Sequence, residues 1–193
     1  MRQQGPGIPP PRGRIVALAV LFEGGMVVLW LVLAEYLGIV PGNQGAATVQ
    51  ALAAGVAATL PLLPLLWWMS RSRLGPLRRM MREVDEVLVP LLSRLTVADY
   101  ALIALLAGIG EEGVFRGILQ EGLSWKLPMP VAVAAASAVF GMLHFITPAY
   151  ALLAGIMGAY LGALYVLSGN LLVPITVHAL YDFIALLYLL RWR

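Results

Sequence analysis

The chain has 193 residues, 61% of them hydrophobic and 12% charged, with a formal net charge of +3. Soluble domains carry roughly 25% charged residues, so this composition excludes an ordinary water-soluble globule and predicts an integral membrane protein. Cysteine is absent, which excludes disulfides, thiolate metal sites and a cysteine nucleophile.

Several apolar runs approach or exceed the ~20 residues that span a bilayer as helix, and the ~10-residue alternation of a membrane barrel is missing. The expected fold class is all-α: a polytopic membrane helix bundle of about six transmembrane helices, with an amphipathic helix at the cytoplasmic surface. Residues 1–13, rich in proline and glycine, read as a disordered N-terminal tail, and residues 14–193 as a single transmembrane domain.

The first span is expected over residues 14–39, ending at Pro41-Gly42-Asn43; it is too long, and lacks the small-residue cleavage site, for a removable signal peptide. It carries Glu23 and Glu35, both read as structural or interfacial acids. The second span, residues 46–68, contains Pro61 and Pro64, which predict a kink, and ends at Trp67 and Trp68, which suit an interfacial aromatic belt. Over residues 71–95 arginines and acids alternate with Leu, Met and Val at helical spacing, the pattern of a helix lying on an anionic leaflet. Four more spans are expected at about 96–123, 129–145, 149–167 and 171–190, and in the third of these Gly158-x-x-x-Gly162 is a small-residue packing pattern.

Eleven of the thirteen Lys and Arg residues fall near residue 10 or before it, within 71–94, or at 191 and 193. These are loops and ends, so the basic excess is a topology signal and not a nucleic-acid site. With both termini cytoplasmic, every basic cluster faces one side and Lys126 the other.

The chemistry concentrates in Gly110-Glu111-Glu112-Gly113-Val114-Phe115-Arg116-Gly117, two carboxylates and a guanidinium within an apolar span. A charged side chain at the bilayer centre costs at least ~2.5–3.5 kcal/mol on insertion scales, so such groups pair, meet water or do chemistry. Glu112 and Arg116 are four apart and share a helix face with Gln120, which predicts a Glu112–Arg116 pair. Glu111 lies about 100° round the helix and is expected to face the bundle interior. The chain has two histidines, His144 and His178, both in apolar spans, and Asp182 follows His178 on one face. Two histidines and three acids on three helices make one pocket if those helices converge. Residue counting from the expected helix ends sets Glu111 deeper than His144, so convergence requires a tilt or a bend.

Glu111-Glu112-x-x-x-Arg116, Phe140-x-x-x-His144 and His178-x-x-x-Asp182, in that order and each in an apolar helix, resemble the three motifs of the CAAX prenyl protease and bacteriocin-processing family, the Rce1-like or ABI intramembrane proteases. The likeness covers about residues 96–190. It implies a glutamate-dependent endopeptidase in which Glu111 is the general base, His144 orients the water, Glu112 and Arg116 are a supporting pair, and His178 with residue 182 stabilises the oxyanion; Phe140 packs the pocket. The third motif often ends in Asn, whereas ionised Asp182 can only accept, so Asp182 is expected to orient His178, with the imidazolium as donor. No cofactor is required on this reading; were a zinc ion used, as in a metalloendopeptidase, Glu111, His144 and His178 would be its ligands. The resemblance implies a membrane-associated peptide or protein substrate, lipidated ones included, and the Arg-, Ala- and Leu-rich composition points to a prokaryote and so to its cytoplasmic membrane. The alternative reading is a non-catalytic binding or immunity protein that keeps the same polar pocket.

Overall fold

A computed structural model describes residues 10–39 and 48–192; the first nine residues of the tail expected over 1–13 and the turn at Pro41-Gly42-Asn43 lie outside the described residues. Among the described residues seven helices follow one another: α1 Arg12–Leu37, α2 Thr48–Arg71, α3 Gly75–Leu92, α4 Val97–Ser124, α5 Met129–Leu143, α6 Pro148–Ser168 and α7 Leu172–Arg191. No strand occurs among the described residues, so the all-α bundle expected from composition is the fold.

Local sequence explains where the helices start and stop. Helix α1 begins at Arg12, two residues before the expected start, and ends at Gly38, whose left-handed backbone (φ 64°) lets the Ile39 amide reach back to the Ala34 carbonyl at 2.9 Å. Helix α2 is interrupted at Leu60-Pro61, because Pro64 has no amide to donate to the Leu60 carbonyl. Helix α4 opens with a capping box: Thr96 Oγ1 accepts from the Asp99 amide, and Asp99 Oδ2 accepts from the Thr96 amide at 2.7 Å. Arg12 of α1 donates to both Asp99 carboxylate oxygens, at 2.6 and 2.7 Å, and so ties the starts of α1 and α4 together.

Four helices, α1, α2, α6 and α7, are long and apolar enough to cross a membrane, or up to five spans if α3 and α4, bent by 114°, count as one. The sequence expectation was about six. The difference has two causes. Helix α4 has ample length but carries Asp99, Glu111, Glu112 and Arg116, and α5 has only 15 residues, about 22 Å at ~1.5 Å each, short of a ~30 Å hydrocarbon core.

Helix α4 is the axis of the bundle. It packs against α1, α5, α6 and α7, and between Gly108 and Gln120 almost every side chain is buried. Over Gly113–Gln120 its backbone widens to π-helical bonding, a feature often found at functional sites. Helix α3 turns its apolar side, Leu77, Met80, Met81 and Val84, onto Tyr150 and Leu153 of α6 and Leu189 of α7. Its amphipathic pattern thus serves contact with the bundle, where the sequence alone suggested contact with lipid. Arg71, Arg73, Arg78, Arg79 and Arg82 remain exposed.

Candidate active site

The α4–α5 hairpin removes the depth mismatch that residue counting suggested. Measured from the turn at Trp125–Pro128, Glu111 lies thirteen residues along α4 and His144 fifteen beyond Met129, both about 20–22 Å from that end. His144 is not inside a helix as expected but at the C-cap of the short α5. Its Nε2 stands 3.4 Å from Glu111 Oε2. Nδ1 lies 2.8 Å from the Phe140 carbonyl, which can only accept; the ring therefore donates there and turns Nε2 to the carboxylate.

Glu112 is fully buried at 0% exposure, and its Oε1 accepts from Arg116 Nη1 at 2.6 Å and from His178 Nδ1 at 2.7 Å. Arg116 continues across to α6 and donates from Nη2 to the Gly158 carbonyl at 2.8 Å. One turn on, Gln120 Nε2 donates to the Gly162 carbonyl at 3.3 Å. Two donors four residues apart on α4 thus meet two carbonyls four residues apart on α6. The glycines permit it: a Cβ at Gly162 would stand 2.6 Å from Gln120 Oε1, and one at Gly158 would press on Ser137 and Arg116. The sequence pattern Gly158-x-x-x-Gly162 signalled close packing, and here the approach also exposes carbonyl acceptors to a buried cation.

His178 faces a carboxylate from each ring nitrogen. Nδ1 is held by Glu112, and Nε2 lies 3.4 Å from Asp182 Oδ2. The sequence expectation gave the orienting role to Asp182. The shorter contact belongs to Glu112, because Glu112 is enclosed and pinned by Arg116, whereas the Asp182 side chain is 38% exposed. Phe140 binds the constellation together. Its ring stacks on His144 at 4.2 Å, meets Phe115 edge-on at 4.9 Å, presents an edge contact to His178 at 6.0 Å and carries the Arg116 guanidinium 4.9 Å above its centroid.

These contacts join Glu111, His144, His178, Glu112 and Asp182, from α4, α5 and α7, into one cluster bridged by Phe140 and Arg116. Glu111 is 8% exposed, and its Oε2 has no hydrogen-bond partner among the described residues. Among the described residues no group of three His, Asp or Glu side chains stands close enough together to hold a metal ion. Two residues of α1 missed or set aside in the sequence pack against this stretch of α4: the Glu23 carbonyl lies against Gly110, the residue before Glu111, and the Trp30 ring against Gly113. Nothing in their spacing relative to the motifs marks them; helix packing alone brings them near.

Residues 93–184 match the family described as type II CAAX prenyl endopeptidase Rce1-like. No curated protein and no solved structure matches the chain. The match spans all three motifs, and the Rce1-like family is one of membrane-embedded proteases acting on peptide or protein substrates.

Proposed function

We propose, on the premise that residues 93–184 belong to the Rce1-like family, that this protein is a glutamate-dependent intramembrane endopeptidase in which Glu111 activates the hydrolytic water. The observation that carries this reading is the facing pair of Glu111 Oε2 and His144 Nε2 at 3.4 Å, both ring nitrogens of His144 being accounted for. A water held by these two atoms gives its proton to Glu111 as its oxygen attacks the scissile carbonyl carbon. The carbonyl π electrons move to oxygen, forming an oxyanion. Collapse of that intermediate breaks the C–N bond, and Glu111 returns the proton to the leaving amine. One residue serves as base and then acid, work that contributes ~10²–10⁴-fold.

His178 suits the oxyanion role when both ring nitrogens carry protons. Nδ1–H is fixed on Glu112, and Nε2–H, with Asp182 as a looser acceptor at 3.4 Å, is the donor free to turn to the developing charge. Asp182, being able only to accept when ionised, acts through the imidazole.

The substrate is proposed to be a membrane-associated peptide or protein, lipidated or not. Met142, Leu143, Phe145 and Ile146 are exposed and apolar around His144, itself 28% exposed on its side chain, which supports approach from the lipid side. The membrane is proposed to be the cytoplasmic membrane of a prokaryote, with both termini inside. Arg12, Arg14, the five arginines of 71–82, Arg94 and Arg191 all stand exposed at the end of the bundle where α4 begins, and Lys126 at the other.

The deciding experiment incubates purified protein in liposomes with lipidated and unlipidated peptides, with and without chelator. Turnover is expected to persist in chelator and to fall at least ~10²-fold in Glu111→Gln, with helical content retained. Full turnover by Glu111→Gln would overturn the mechanism.

A further inference from the structure

Away from the candidate active site, the start of α1 and the end of α3 enclose a cleft of about 590 Å³ at the arginine-rich end of the bundle. Its floor is fixed in place: Ile15 of α1 is buried with Leu95 and Tyr100, and Leu92 of α3 packs on them. Leu18 and Ala19 of α1 and Leu91 of α3 continue the apolar wall, with Leu18 and Leu91 exposed at its mouth. Among the described residues that line it, Arg14 carries the one charge.

The placement of that charge follows from its neighbour. Arg12 and Arg14 are two residues apart, about 200° round the helix. Arg12 is engaged on both carboxylate oxygens of Asp99, so Arg14 turns away from α4 and toward the cleft. It is exposed, and none of the ion pairs among the described residues includes it. Leu18 stands one turn further along the span, about 6 Å deeper. The cleft therefore has a cationic end where α1 begins and an apolar end within the span, the same order as the phosphate and acyl chain of a phospholipid. A guanidinium gives phosphate two parallel charge-assisted hydrogen bonds, and basic pockets between membrane helices hold anionic headgroups in this way. Asp99, the acid at the start of α4, is already matched by Arg12 and leaves the Arg14 charge uncompensated.

We propose that this cleft is a binding site for one anionic phospholipid, with the phosphate on Arg14 and an acyl chain along Ile15, Leu18, Ala19 and Leu91. The site stands independently of the peptidase reading. The test purifies the full-length protein in neutral detergent and offers an equimolar mixture of phosphatidylglycerol and phosphatidylcholine of equal chain length. Native mass spectrometry then counts the lipids retained on the intact protein. Wild-type protein is expected to retain one phosphatidylglycerol in preference to phosphatidylcholine by about fivefold, the effect of a single arginine at a headgroup. Arg14→Gln is expected to bring that ratio near one, and Arg14→Lys to keep part of it. Ala19→Phe, which fills the apolar wall, is expected to lower retention of both lipids. Arg73→Gln, an exposed arginine before α3 that does not line the cleft, is expected to leave the ratio as in wild type. Each ratio is read within one spectrum of folded protein, so loss of material does not move it. Equal retention of the two lipids by wild type, or a ratio unchanged in Arg14→Gln, overturns the proposal. So does a fall in Arg73→Gln as large as in Arg14→Gln, which would assign the preference to the general positive charge, or undiminished retention in Ala19→Phe, which would place the lipid elsewhere.

Discussion

Arg116 holds the site together. It is 1% exposed and answers Glu112, the Gly158 carbonyl and the Phe140 ring at once, while Glu112 in turn fixes His178. Removing one partner of a buried ion pair leaves the other charge uncompensated, which costs about 3–5 kcal/mol. Arg116→Met should therefore lower the unfolding temperature in detergent sharply, and Glu112→Gln added to it should recover part of the loss. An Arg116→Met protein as stable as wild type would show that the pair is not what closes this end of α4. The Glu112–Arg116 pair was legible in the sequence from its four-residue spacing. The choice of Glu112 over Asp182 as the closer partner of His178 was not, since both spacings permit a contact and only burial separates them.

Between helices, the seam of α1 on α4 is decided by glycine. A Cβ on Gly113 would come within 2.3 Å of the Trp30 ring, and one on Gly117 within 3.0 Å of Trp30 Nε1. Gly113→Ala is expected to cost about 1–3 kcal/mol through overpacking. Gly122→Ala, on the same helix but with open space around it, is expected to add about 0.5–1 kcal/mol by favouring helix. Opposite signs for these two variants in thermal unfolding would confirm that the seam, not helix propensity, governs α4. Their agreement in sign would refute it. That Gly110 and Gly113 admit Met26 and Trp30 of α1 follows from contacts eighty or more residues apart in the chain.

The whole molecule separates charge along its length. Exposed arginines crowd the end where α1 and α4 begin, where α7 ends and where α3 lies across α6, while Lys126 marks the opposite turn. Because the chain has no cysteine, single cysteines at Ser93 and Lys126 report sidedness cleanly. With both termini inside, a membrane-impermeant maleimide added to intact cells should label Lys126→Cys and spare Ser93→Cys until the membrane is opened; the reverse pattern would invert the topology.

Composition, helical periodicity and three short spacings sufficed for the all-α bundle and for the resemblance that residues 93–184 bear to the Rce1-like family, because each depends on properties confined to one helix. Tertiary structure alone decided that Glu111 and His144 lie level, that α3 buries its apolar side on α6 and α7, and that α1 packs over Gly110 and Gly113. Those outcomes depend on where one helix stops relative to another and on which glycine admits a neighbour. Such distances between helices leave no periodic trace in the order of residues.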